Sequence, residues 1–400
     1  MNILLVTDIS SDGEEKPNVT YQGVEYYRMV NPHFALQEAY SDYNFIVTPK
    51  QDFDLDNEVL NSIKTREERI QFVKDLIKPF DLIIFNRNVL KPARDLVKSE
   101  GKEYALDLDD YWILPGYHIL HGYYQANDIK SLTEDSIREA KFIICSTPIL
   151  AEKAKEFNEN VHVIENGVDF NDPTWQPNKT ESNRLRFGFT QSGSHYEDMK
   201  VMFKSIRRAL TNPLFQSHGQ LVACGFEKPK TPKALEWKET NVSQAIELEM
   251  TNGFQLIQNK VYASCLYKWA EYNDRNEVYR RMASTPVLEF GNVYNEFDVS
   301  VTYLKDKVFN SCKSELKLLE AGAKGCAIMC NHIKPYTYVA NDKNSFDLNK
   351  KTFNEWSIYL IKNPNLVSDS ASQLREDIQG YDLKKLSVKR NQIYQQYKKK

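Results

Sequence analysis

Long apolar runs are missing from this 400-residue sequence. Its longest, such as Leu82 to Phe85 and Phe142 to Cys145, fall far short of the roughly 20 residues that cross a bilayer, so no transmembrane segment is expected. Met1 leads directly into the strand-like Ile3 to Val6, and no secretion signal is expected either. Cysteine is sparse. The six, Cys145, Cys224, Cys265, Cys312, Cys326 and Cys330, form no CxxC pair, and no histidine stands at zinc-finger spacing from them. Each lies in an apolar or helical context where a small buried thiol is ordinary, which points to a reducing, cytoplasmic setting. Repeats and low-complexity segments are absent, which removes the solenoid, collagen, coiled-coil and mucin-like classes.

What is present is a globular composition, 41% hydrophobic and 27% charged. A single core tends to stop growing at about 250 to 300 residues, so this length predicts two domains. In the first half, short apolar runs read as buried strands: Asn2 to Thr7, Asn44 to Thr48, Asp81 to Asn86, Glu103 to Leu108, Phe142 to Ser146 and Val161 to Ile164. Between them lie helix-like stretches at Glu25 to Ala39, Thr65 to Lys78, Pro92 to Ser99, Ile129 to Ala140 and Pro148 to Phe157. Strand and helix in alternation predict an α/β fold with a parallel, doubly wound sheet over 1–172. Residues 173–183 are polar, carry Pro173 and Pro177, and suit a linker.

The rhythm then restarts with Leu185 to Phe189 as a strand, Glu197 to Leu210 as a helix and Gln220 to Cys224 as a strand. It resumes at Val299 to Leu304, Glu315 to Ala323 and Ala327 to Cys330, which makes 184–380 a second doubly wound domain with an irregular insertion at about 227–284. Residues 381–400 read as a basic helix or tail. Charge divides the halves. Residues 1–179 hold 19 Lys and Arg against 31 Asp and Glu, net −12, and the remainder holds 33 against 24, net +9.

Two segments of the second domain carry the chemistry. Gly188 to His195 follows a strand and opens a helix, where free backbone N–H groups meet phosphate; a tight strand-to-helix turn needs its glycine in any case, and both readings stand. In Phe309 to Gly325, Leu316, Leu319 and Ala323 share one helical face, while Lys313, Lys317 and Glu320 share the neighbouring one. A carboxylate there is able to accept bonds from the two adjacent hydroxyls of a ribose, with the lysines and Ser314 on a phosphate; the plain alternative is a surface salt-bridge ladder.

These segments, with Val163 to Phe170 (VIENGVDF) just before the linker and Arg186 to Asp198 (RFGFTQSGSHYED) just after it, resemble the GT-B glycosyltransferases related to family 4. That family runs vipNGVD, igwiGs.sH..D and FN..KS.lK.lE in the same order. EYYR (Glu25 to Arg28) with Pro32, and LDLDDYW (Leu106 to Trp112), match weaker parts of the pattern. The resemblance implies two Rossmann-like domains facing a cleft. It implies that Glu320 binds the nucleotide ribose, that Lys313 to Lys317 and the loop Gln191, Ser192, Gly193, Ser194 and His195 hold the diphosphate, and that Asn310 lines the same cleft. UDP is the favoured nucleotide, transfer is expected with retention, and no cofactor is implied beyond the nucleotide-sugar substrate. Two departures stand out. Cys312 occupies the place of a first glutamate eight residues before the second, and the family's Arg/Lys pair after Gly188 is absent, which leaves Lys313 and Lys317 as substitutes.

On the first domain, Asp107-Leu108-Asp109-Asp110 invites a metal reading, but two Rossmann-like halves predict a metal-free site in which cations and helix N-termini offset phosphate charge. Asp109 and Asp110 then contact the acceptor, orient a neighbour or cap a helix. His118 and His121 suit a hydrogen bond to the sugar or the leaving phosphate, or are structural histidines. Tyr27 and Arg28 face the cleft as acceptor contacts or pack under the sheet edge. Lys313 and Lys317, with His118 and Asp109, are the expected catalytic groups.

Tyr262 to Arg281 interleaves aromatics with Lys268, Arg275, Arg280 and Arg281, and 381–400 carries seven Lys or Arg against the single acid Asp382, a pattern shared by nucleic-acid contacts and by ordinary amphipathic helices. Together with a Tyr/Asn/Lys-rich style resembling T-even-like phage proteins, this favours a 5-hydroxymethylated pyrimidine in phage DNA as the acceptor. A cell-envelope glycan is the alternative, and a non-catalytic nucleotide-sugar binding protein would share the fold.

Overall fold

The computed structural model describes residues 1–8, 10–11, 19–20, 23–57, 65–191, 195–226, 278–283 and 285–398. The aromatic and basic run from Tyr262 to Arg275, the loop residues Ser192, Gly193 and Ser194, and the side chain of Arg281 lie outside the described residues.

Six short apolar segments of the first half form one parallel sheet: β1 (Asn2–Thr7), β2 (Asn44–Pro49), β3 (Leu82–Asn86), β4 (Tyr104–Leu108), β5 (Ile143–Cys145) and β6 (Val161–Val163), in the spatial order β2-β1-β3-β4-β5-β6. Helices cover both faces, so β3 and β4 are buried at every residue, as continuous apolar strands of parallel sheets must be. The second half repeats the plan with β7 (Leu185–Phe189), β8 (Gly219–Phe226), β9 (Tyr279–Ala283), β10 (Val299–Val301), β11 (Ala327–Cys330) and β12 (Ser345–Asp347), in the order β9-β8-β7-β10-β11-β12, again parallel. The strand order reverses between β1 and β3 in one sheet and between β7 and β10 in the other. Crevices open at such switch points, outside the carboxyl ends of the strands.

Several expected elements take a different form. Glu25 to Ala39 opens as a π-helical turn, Glu25–Val30, before the α-helix Asn31–Ala39. Pro32 has no N–H to return to the preceding turn, and a wider turn accommodates that loss. The single helix expected over Glu197 to Leu210 is divided into Tyr196–Met199 and Phe203–Thr211 by the 3₁₀ turn Lys200–Met202. β9 lies within the stretch read as an insertion and supplies an edge strand.

The basic C-terminal helix, Leu383–Tyr397, does not stay with the second domain. It returns to the first and packs on the helix Asn31–Ala39. Tyr394 is fully buried there, its hydroxyl 2.9 Å from His33 Nε2 and 3.1 Å from Arg390 Nη1, and Tyr397 stacks on Phe142 at 4.2 Å. Burial, then Arg390, holds His33 well below the usual imidazole range, so it packs as a neutral ring. The apolar core continues from one domain to the other through Tyr27, Trp175 and Tyr294, with Trp175 ring centroids 6.3 Å from Tyr27 and 6.4 Å from Tyr294.

Gly188, one residue before the end of β7, has no room for a side chain: a Cβ there would stand 2.2 Å from the Phe297 ring. Gly188→Ala is therefore expected to lower unfolding stability by about 1 to 3 kcal/mol, the usual cost of overpacking a closed core. Urea unfolding of variant and parent measures it.

Candidate active site

The motifs of the first domain converge on one buried ion pair. Arg28 is 1% exposed and grips Asp107 with two bonds, Nε to Oδ1 at 2.7 Å and Nη2 to Oδ2 at 3.1 Å. Its Nη1 donates to the carbonyl of Ile164 at 2.8 Å and to Asn166 Oδ1 at 3.1 Å. Asn166 Nδ2 then crosses to the second domain and donates to Ser314 Oγ at 2.7 Å. Burial opposes the Arg28 charge, but Asp107 outweighs it and holds the guanidinium ionised. Arg28 is thus spent on the framework, and both oxygens of Asp107 are turned to it. Segments quoted separately from the sequence, EYYR, LDLDD, ENGVD and KSELK, are one hydrogen-bonded chain.

Across the interface, Lys313 Nζ lies 3.2 Å from Asp110 Oδ1 and 4.6 Å from the Phe309 ring centroid. Thr147 Oγ1 donates to the Cys312 carbonyl at 3.0 Å. Cys312 itself is fully buried and packs into the first domain's core. Burial pushes the Asp110 carboxyl up, but Lys313 and Arg87 outweigh it and hold it down. Asp109 is pushed up, by burial first and then by Asp110, against the pull of Arg87, whose Nε is 3.4 Å away. Arg87 was given no role in the sequence reading. It is a non-glycine residue in the left-handed region, φ 68°, a conformation that ordinary residues keep only where surrounding contacts enforce it.

Glu320, 1% exposed, accepts from Tyr294 Oη at 2.6 Å and Lys317 Nζ at 2.8 Å on the same oxygen, Oε2. Tyr27 reaches over from the first domain toward this carboxylate, and burial followed by Glu320 drives its phenol well above the usual range. Lys317 also lies 4.9 Å from the Phe290 ring centroid. At the end of β7, Gln191 is 3% exposed; its Nε2 donates to Tyr303 O at 3.2 Å while its Oε1 is buried without a partner. His195 Nδ1 is 3.2 Å from Asp198 Oδ2, and Asp198 Oδ1 accepts from Asn310 Nδ2 at 2.8 Å and from the backbone N–H of Lys305 at 2.9 Å. Burial lowers His195, so its neutral form donates Nδ1–H to Asp198 and keeps Nε2 as an acceptor.

His118 sets its ring edge-on to Phe309 at 5.4 Å, and its Nδ1 accepts from the Leu120 N–H at 3.1 Å. Burial, then Lys313, lowers its affinity for a proton. His121 Nδ1 lies 3.1 Å from the Leu114 carbonyl. Gln191, His195, Asn310, Lys313, Ser314, Lys317 and Glu320 thus come together with Tyr27, Asp109, Asp110 and His118 along one seam between the sheets. Arg280 does not join them: it is buried on β9, with Nη1 2.5 Å from Glu296 Oε2. Asp198, Asn166 and Tyr294 brace the same seam; the first two stand inside the quoted motifs, and nothing near Tyr294 in the sequence marks it.

No protein-family model matches the chain, and no curated protein does. Solved structures do match along its whole length. Sucrose-phosphate synthase from Thermosynechococcus elongatus superposes with a TM-score of 0.60 at 13% identity, covering 99% of this chain and 98% of that one. Anabaena HepE in complex with UDP-glucose gives 0.56 at 13% identity, covering 99% of each chain. An α-glucosyltransferase in complex with UDP and a 13-mer DNA gives 0.58 at 12% identity, covering 100% of each. Two parallel six-stranded Rossmann-like sheets, matched end to end by these structures, give this chain the GT-B fold.

Proposed function

We propose that the protein transfers a sugar from a UDP-sugar, bound by the second domain, to a hydroxyl of an acceptor held by the first. The observation that carries this reading is the meeting of Glu320, Lys317 and Lys313 with Asp110 and Tyr27 at the domain seam, beside the switch point of the second sheet. Glu320 is placed for the ribose hydroxyls. Lys313 and Lys317 take the diphosphate, where their charge stabilises the leaving group. In the reaction the bond from the sugar C1 to the diphosphate oxygen breaks, its electron pair staying on the diphosphate. The acceptor oxygen bonds to C1 on the same face, and its proton passes to the departing phosphate, so configuration is retained. No metal is required, because cations and backbone N–H groups meet the charge.

For the acceptor, a 5-hydroxymethylated pyrimidine in phage DNA is supported by the full-length likeness to the DNA-bound α-glucosyltransferase. An envelope glycan is favoured by a different observation: 1–179 is net −12, and Asp110 to Asp128, which starts at the seam, contains no Lys or Arg. Labelled UDP-glucose offered with hydroxymethylated DNA and with envelope polysaccharide separates the two. Transfer to DNA is expected to fall with salt at a log-log slope of about −0.9 per phosphate contact. Slow release of UDP without acceptor distinguishes an enzyme from a binding protein.

Glu320→Gln is expected to weaken UDP binding about tenfold or more, since a charge-assisted bond contributes about 1.5 to 3 kcal/mol. Calorimetric titration of UDP tests it, and unchanged affinity removes Glu320 from the ribose site. Turnover is expected to survive EDTA. Loss of activity that Mn²⁺ restores would overturn the metal-free assignment.

A further inference from the structure

A second polar cluster lies in the first domain, at the switch point of its own sheet. Val6 of β1 stands in register with Phe85 of β3, so Thr7 and Asn86, the next residues, end the two strands side by side. Both are buried, and both carry an orphan atom: Thr7 Oγ1 and Asn86 Oδ1 find no hydrogen-bond partner. Glu25, 3% exposed at the start of the π-helical turn, carries a third, Oε2. Native interiors leave few polar atoms unmatched, because each costs about 1 to 3 kcal/mol. Two stand at the carboxyl ends of neighbouring strands and the turn that carries the third packs against β1, which marks a place built for something else.

Lys50 completes the group. Its Nζ donates to Asn88 Oδ1 at 2.7 Å and to the Asn86 carbonyl at 3.4 Å, which leaves one of its three N–H bonds. Burial lowers its pKa to about 8 and raises that of Glu25, so the two are desolvated together and within range of one another. The charges of Lys50 and Arg87 are offset by Glu25, Asp8 and Asp109, so an anion gains no net attraction here.

We propose that Thr7, Glu25, Lys50 and Asn86 form the acceptor subsite, and that it takes an uncharged ring presenting two hydrogen-bond donors and one acceptor. Glu25 Oε2 and Asn86 Oδ1 receive the donors, Lys50 supplies its remaining N–H, and Thr7 serves either way. An aminopyrimidine edge and a pair of sugar hydroxyls both have this chemistry; a phosphate has not. The assignment rests on the reading of the first domain as the acceptor domain. It goes beyond that reading by naming residues and by excluding recognition through charge.

Saturation-transfer NMR on the full chain tests it with three probes: 5-hydroxymethyldeoxycytidine, methyl α-glucoside and inorganic phosphate. One of the neutral probes is expected to bind, at least tenfold more weakly to Glu25→Gln and to Thr7→Val than to the parent. Binding of the nucleoside identifies a base as the source of the ring, and binding of the glucoside identifies a sugar. The subsite is overturned if neither neutral probe binds, if phosphate displaces the bound one, or if both variants bind as the parent does. UDP affinity, measured separately on the same variants, reports on the donor site alone and on intact folding. Loss of UDP binding by the parent would sink the donor assignment without touching this one.

Discussion

The pairing of Arg28 with Asp107 is the constraint on which the seam depends. Breaking a buried pair by removing one partner typically costs about 3 to 5 kcal/mol, because the remaining charge is stranded in the interior. Here the guanidinium also ties the segment after β6 to the end of β4, and through Asn166 it reaches Ser314. The carboxylates two and three residues beyond Asp107 consequently leave the sheet at a fixed angle. Asp109 meets Arg87 and Asp110 meets Lys313 because the residue before them is clamped.

The cations of the seam are held ready in a similar way. Lys313 and Lys317 each rest against a carboxylate and over an aromatic ring, so their positions are set before any ligand arrives. Preorganised charge of this kind contributes more in a water-poor cleft than mobile surface lysines do. Cys312 fixes the same segment from its other side: its thiol packs into the neighbouring domain's core and its carbonyl accepts from Thr147.

Much of this architecture was legible in the sequence. Apolar runs bounded by polar residues located the central strands of both sheets, since a strand buried on both faces has no alternation to confuse with helix. That the quoted motifs meet at one seam follows from short-range features: the residues that cross the seam and those that brace them sit within a few positions of each other, as in ENGVD and KSELK. Legibility stopped where the determinant is a long-range contact. Nothing local marks Arg87, whose backbone conformation is imposed by the strand ends around it. Nothing local marks Thr7, Asn86 and Glu25 as neighbours, because register between β1 and β3 brings the first two together. Charge counted by halves misled in one respect. The basic helix Leu383–Tyr397 belongs in space to the acidic first domain, where Lys389 pairs with Glu165 and Arg390 is buried.

That return of the C-terminus has a mechanical consequence. The chain passes between the domains twice, once after Val168 and once at Tyr381 to Leu383, and the two passages run side by side: the Val168 N–H donates to Tyr381 O at 3.1 Å and the Leu383 N–H to Val168 O at 3.2 Å. Because the two passages are bonded to each other, they act as one joint: the place where the chain leaves the first domain cannot shift without the place where it returns. The Asn166–Ser314 bond lies two residues from that joint, so the same crossing holds the segment that carries Lys313 against the first domain.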